Sequence, residues 1–280
     1  MGTTQRISPG VTNQPNWKGL NSSVTNVAKT VEKEAEIEQE ENEDSKAITL
    51  EQIEQIEKQY KKMIIRRNNH LKSTYKNLIK TGGGVKNISK GKSNSIGKAG
   101  LKSSGKIVNF FSSVGSIGLQ NALTEIGFGQ LDGKSVENII DFLVVYCSDS
   151  ATGMDETAAN KASSEVLNQI AAESGNDIDR FEQLLKEYVD GSGLSNLLCS
   201  FWGYYIFEHL SQRFKEKITQ HRGESVSSET FKIIKDDILG RVKVLNESRP
   251  VSKIDWKGNE GRREIEAIFE SIINILCDEN

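Results

Sequence analysis

The sequence is short of the residues that usually reveal a mechanism. It holds three cysteines, three histidines and three prolines in 280 residues, and aromatic residues make up only 7 %. Cys147, Cys199 and Cys277 are odd in number, far apart and set in apolar helical contexts. That pattern excludes a disulfide framework and fits small core residues in a reducing compartment, so a cytoplasmic protein is expected. His70, His209 and His221 share no metal-ligand spacing with each other or with the cysteines, so neither a metal nor a cofactor is expected. No run of about 18 apolar residues occurs to span a membrane. The N-terminus also lacks the apolar core of a secretory signal. No Ser/His/Asp or Cys/His pairing follows from spacing, and the chain reads as a non-enzyme.

Apolar residues are scarce as well, at 36 % with a mean hydropathy of −0.49. Such a deficit means that part of the chain stays out of any core. Residues 1–30 are rich in Thr, Asn, Ser and Gly and include Pro9 and Pro15, and residues 31–47 are acidic. The composition predicts a disordered N-terminal arm over residues 1–47, with at best a frayed helix toward its end.

A net charge of −3 hides strong segregation. Acids dominate from Glu32 to Glu57, and from Lys58 to Lys106 there is no acid at all. Within that change of sign lie charged amphipathic helices over residues 48–81. Thr49 and Gln52 have the spacing of a capping box, and Leu50, Ile53, Ile56 and Tyr60 follow at helical intervals. One helix is expected to reach about Arg67, and a second segment carries Leu71, Tyr75 and Leu78 to the stop at Gly82-Gly83-Gly84. Residues 82–106 read as a Gly/Ser/Lys-rich basic linker, part of it able to form a basic helix.

Residues 107–280 are apolar enough to close a core. Val136, Ile139, Ile140 and Leu143 share a helical face, as do Ala158, Ala162, Val166 and Ile170. Asp155 is placed to N-cap the second of these helices, and Asp177 the next, which carries Phe181, Leu184, Leu185 and Tyr188. The strongest pattern is Leu194, Leu197, Leu198, Phe201, Tyr205, Ile206 and Leu210. Phe231, Ile234, Ile238 and Val242, then Ile265, Ile268, Phe269, Ile272 and Leu276, give two more helices. An all-α, irregular bundle of about six or seven helices is expected behind the arm and the charged segment.

Glycine and lysine abound, but no phosphate loop forms. Gly100 to Lys106 has both glycines and the lysine, with Ile107 in the hydroxyl position; Gly91-Lys92-Ser93 has the ending, with Lys86 where the first glycine belongs. Neither follows a strand. The basic segment 58–106 has the charge to neutralise phosphates, with only Tyr60 and Tyr75 interleaved for base stacking. A nucleic-acid-binding accessory protein is therefore the alternative reading; an acidic partner protein would suit the same charge. Asp155 and Glu156 pair only as first-turn acids favoured by the helix dipole. Gly2 becomes a free glycine amine on a flexible tether once Met1 is removed, and Arg6 stands where myristoylation wants Ser or Thr.

Several short motifs in fixed order point to one family. They are Met1-Gly2-Thr3-Thr4 with Trp17, then Tyr75 with Thr81-Gly82-Gly83-Gly84, then Gly118-Leu119 through Gly127-Phe128 to Leu131-Asp132-Gly133. Cys147 with Gly153-Met154-Asp155-Glu156, Ala159, Ala162 and Glu165 completes the set. Together they resemble the QatB component of the four-gene Qat anti-phage defence systems of bacteria. The resemblance implies a non-enzymatic adaptor and substrate of QatC, an enzyme similar to the queuosine-pathway enzyme QueC. In that picture Gly2 enters the QatC active site for an ATP-dependent, nucleobase-type modification, flanked by Thr3 and Thr4. The ATPase and the TatD-like nuclease of the same operons are candidates for further partners. The acidic 32–44 stretch and the high Lys and Asn content depart from the usual look of the family.

Overall fold

The computed structural model describes residues 16–43, 50–148, 153–190, 192–248 and 254–277. Every regular element among them is a helix, in agreement with the all-α expectation. In chain order these are α1 (Trp17–Glu43), α2 (Leu50–Thr81), α3 (Val85–Ser89), α4 (Lys98–Ile117), α5 (Leu119–Glu125) and α6 (Val136–Cys147). There follow α7 (Met154–Ser174), α8 (Ile178–Asp190), α9 (Gly193–Arg222), α10 (Glu224–Ser248) and α11 (Asn259–Cys277).

Two sequence expectations need correction, and a third, the helix allowed within the basic linker, is made specific. Trp17–Glu43, assigned to the disordered arm on composition, is a helix with Leu20, Val24, Val27, Ala28, Val31 and Ile37 buried. The region read as two segments from 48 to 81 is the single helix α2. The basic linker 82–106 contains α3 and the first turns of α4, whose Ala99, Gly100, Ser103 and Ser104 are buried. Thr49 of the expected capping box lies outside the described residues, as does the start of the arm.

The chain divides into two compact units, one comprising Met1–Thr81, Leu210–Asp237 and Leu276–Asn280, the other Gly82–His209 and Ile238–Ile275. In the first unit α1 and α2 run antiparallel, with Gly19 beside Asn77 and Glu34 beside Arg67. Their seam is built, as in a coiled coil, from steps of three and four residues. Leu20, Val24, Val27 and Val31 on α1 are buried, as are Met63, Leu71, Thr74 and Leu78 on α2. Arg67 occupies a seam position and is largely buried. Its guanidinium donates to Thr30 Oγ1 at 3.2 Å and pairs with Glu34. The end of α9 packs alongside α1, where Trp17 stacks on Phe214 with centroids 5.3 Å apart. Further links are Lys217 Nζ donating to Asn21 Oδ1 at 2.7 Å and the Arg222–Glu32 ion pair. The Tyr75 hydroxyl donates to Asp237 Oδ2 at 2.7 Å and fixes α2 to α10.

The second unit is built around the first part of α9. Leu194, Leu198, Cys199, Phe201, Trp202, Tyr205 and Ile206 are all buried, and a helix apolar around its whole circumference belongs in a core. Trp202 stacks on Phe269 of α11 with centroids 3.7 Å apart. Gly100 of α4 lets that helix approach the same rings, since a β-carbon there would lie 2.5 Å from Trp202. The alanine face of α7 (Ala158, Ala159, Ala162) is fully buried, and small residues of this kind permit close helix packing. Local signals set the ends of two helices. Ser135 and Asn138 form a capping box before α6, and Asp177 accepts from the Arg180 amide at 2.8 Å to start α8.

Candidate functional site

A cluster of titratable side chains is buried where α4 begins, wholly within the second unit. The chain enters α4 through Gly97, with φ at 110°, where a β-carbon would sit 2.3 Å from the Ile88 carbonyl oxygen. Only glycine fits such a turn. The first amides of a helix have no partner inside it. Here Asp155 supplies one from another helix: Ala99 N–H donates to its Oδ2 at 2.8 Å and Gly97 N–H to its Oδ1 at 3.1 Å. Gly97 N–H also donates to the Tyr205 hydroxyl oxygen. The Tyr205 hydroxyl in turn donates to Asp155 Oδ1, and His209 Nε2 lies 3.1 Å from the same oxygen. Tyr205 and His209 are four residues apart, so they project from one face of α9.

Burial alone would raise the Asp155 pKa. The hydrogen bond and electrostatic pull of His209 outweigh it, helped by the Ala99 amide and the Tyr205 hydroxyl, and hold the carboxyl at about 2. The carboxylate is therefore charged and surrounded by donors, while Tyr205 and His209 have no solvent exposure. This arrangement suits a clamp that ties α4, α7 and α9 together. A proton-transfer role would require a group that reaches the substrate.

Asp155 was expected to cap its own helix. Instead α7 starts at Met154 behind Gly153, and Asp155 caps α4. His209, which shows no metal-ligand spacing in the sequence, packs against Asp155. Nothing in local spacing signals this cluster, because its members are separated by more than a hundred residues, from Gly97 to Tyr205.

The basic near-motifs also find ordinary places. Gly100 to Lys106 lies inside α4, and Ile107 is buried, so this stretch forms no phosphate-binding loop. A cleft of about 690 Å³ is lined by Lys102, Lys106, Trp256, Lys257, Arg262 and Glu266 among others. Its cations are already engaged by the protein at several points. Lys106 Nζ donates to the Tyr146 carbonyl at 2.5 Å and the Ser148 carbonyl at 3.2 Å, neutralising the end of α6. Arg262 pairs with Glu266 at 3.5 Å.

Cys147 is buried, and burial pushes its thiol up to about 12, which leaves it unreactive. Among the described residues no three His, Cys, Asp or Glu side chains gather at a metal-binding distance. None of the described helices is long and apolar enough to cross a membrane. Gly2, Thr3 and Thr4 lie outside the described residues, so the structure neither gathers nor separates them.

No curated protein and no solved structure matches the chain. Residues 83–276, well over half of its length, match the family model described as QatB, Qat anti-phage system associated protein, and to that family the chain belongs.

Proposed function

We propose that the chain is a non-catalytic adaptor and substrate of its anti-phage system. In this reading its N-terminal glycine is presented to a QueC-like partner enzyme, QatC, for modification. Family membership gives the role in anti-phage defence, and it is the observation that carries the reading. The sequence start Met1-Gly2-Thr3-Thr4 supplies the finer step through its resemblance to the family's N-terminus. The chemistry is compatible. An α-amine has a pKa near 8, against about 10.4 for a lysine, so far more of it is neutral and nucleophilic at pH 7.

Covalent geometry allows the delivery. Fifteen residues or so precede α1 at Trp17, and an extended chain spans at most about 3.5 Å per residue, so Gly2 can reach up to roughly 50 Å from that helix. A short peptide binds weakly because ordering it costs free energy. A helical body docked on the enzyme would raise its effective concentration to the millimolar range. Gly2 is the nucleophile, Thr3 and Thr4 flank it in the enzyme cleft, and the helical units dock.

Affinity for purified QatC tests this division of labour. The full chain is expected to bind at least tenfold more tightly than a synthetic peptide of residues 2–16. A chain shortened to begin at Asn16 is expected to retain most of the affinity while losing modification. Equal affinity of peptide and full chain would remove the docking role of the helical body.

A further inference from the structure

The α1–α2 seam turns one face of α2 inward and leaves the opposite face to solvent. At about 100° per residue, Lys58, Lys62, Arg66, Asn69, Lys76 and Lys80 fall within a stripe roughly 80° wide on that outer face. The stripe runs for about 33 Å at 1.5 Å per residue. Lys58, Lys62, Arg66, Asn69 and Lys80 are exposed and Lys76 is half-buried. No acid occurs on α2 beyond Glu57, which pairs with Lys61 outside the stripe. Among the described residues no carboxylate pairs with Lys58, Lys62, Arg66 or Lys80. The positive field is felt nearby, since burial and then Arg66 and Lys29 lower the pKa of His70.

We infer that the outer face of α2 from Lys58 to Lys80 is a docking surface for the phosphate backbone of a nucleic-acid duplex. Cations repeat along the helix in steps of about 6 Å from Lys58 to Lys62 to Arg66, and again from Lys76 to Lys80. A row of this kind tracks a line of phosphates and positions a duplex without reading its sequence. Single strands are disfavoured, because they need exposed aromatic platforms. Tyr75 is buried and donates to Asp237, and Tyr60 is half-buried on the seam side. An acidic protein helix would also match the charge, but it would use Ile65, which is 61 % exposed and lies about 20° outside the stripe, as an apolar anchor. Phosphate contacts have no use for that side chain.

Fluorescence anisotropy with a random-sequence 30-base-pair DNA duplex, titrated at several salt concentrations, is the test. The full chain is expected to bind at low salt, with log K falling against log[salt] at a slope of about −4 for four to five phosphate contacts. The double variant Lys62→Gln/Arg66→Gln should reduce the slope by about 2 and weaken binding at least tenfold, with unchanged circular dichroism and melting temperature. Ile65→Ala and Lys90→Gln/Lys92→Gln should leave affinity within twofold. Absence of binding at low salt would overturn the inference, as would a slope indifferent to Lys62 and Arg66 or a loss that follows Lys90 and Lys92. Tighter binding of an acidic amphipathic peptide than of DNA, with Ile65→Ala costing tenfold, would make this a protein-docking face and equally refute it.

Discussion

Asp155 joins the start of α4 to α9 through four polar contacts. It is ionised while largely buried, and the donors around it are what make that tolerable. Replacing it with Asn removes the charge while leaving His209 and the α4 amides in place. The expected loss in stability is about 2 kcal/mol, the usual scale for hydrogen bonds to a largely buried charged group. Urea denaturation at pH 7 measures it. The pH dependence follows from the sign of the shift. The folded pKa of about 2 lies below the unfolded value near 3.9, so this stabilisation is complete above about pH 4 and fades as pH falls toward 2. Asp155→Asn should flatten that part of the acid-denaturation curve; an unchanged curve would mean that the carboxylate is not the titrating anchor. Gly100 provides a steric test of the same region. Gly100→Val drives two methyls toward Trp202 and should cost at least about 2 kcal/mol by overpacking. This residue-level chemistry was the least legible in the sequence. Periodicity correctly placed Asp155 at the start of a helix, but a first-turn carboxylate serves whichever amides lie nearest in space. Those amides were 56 and 58 residues away, where α4 begins.

At the scale of the element, the α1–α2 hairpin joins two charged helices through a narrow apolar seam with one polar layer. Arg67, Glu34 and Thr30 form that layer. Buried polar groups at seam positions fix register more than they add stability. Glu34→Ala alone is expected to destabilise by about 1–3 kcal/mol, because it strips Arg67 of its charged partner. Combining it with Arg67→Met should recover most of that loss. A double-mutant cycle in thermal or urea unfolding reports the coupling, and additive effects would show the pair to be independent. The apolar faces of α6 to α11 were readable because each carries enough buried residues for the 3.6-residue period to stand out. α1 was not, since its composition averages to that of a disordered segment. Two apolar residues per seven are enough for a coiled-coil seam, and Leu20, Val24, Val27 and Val31 meet that requirement amid many polar neighbours.

The whole molecule pairs two helical units, each fastened internally by polar contacts between its helices, with an N-terminal sequence that the family resemblance implies is the working end. The body explains how α4, α7 and α9 are fastened and how α2 presents its basic face. The proposed chemistry sits at Gly2. That residue was accessible to sequence reasoning only through family likeness, because a glycine amine leaves no periodicity, burial or charge pattern to read. The measurement that tests the adaptor reading most directly is the intact mass of the chain purified from phage-challenged cells that also express QatC. The account predicts a discrete mass increase that maps to the N-terminal peptide, that requires QatC, and that disappears in a variant with residues added ahead of Gly2. An unmodified N-terminus in cells where the system is defending against phage would contradict it.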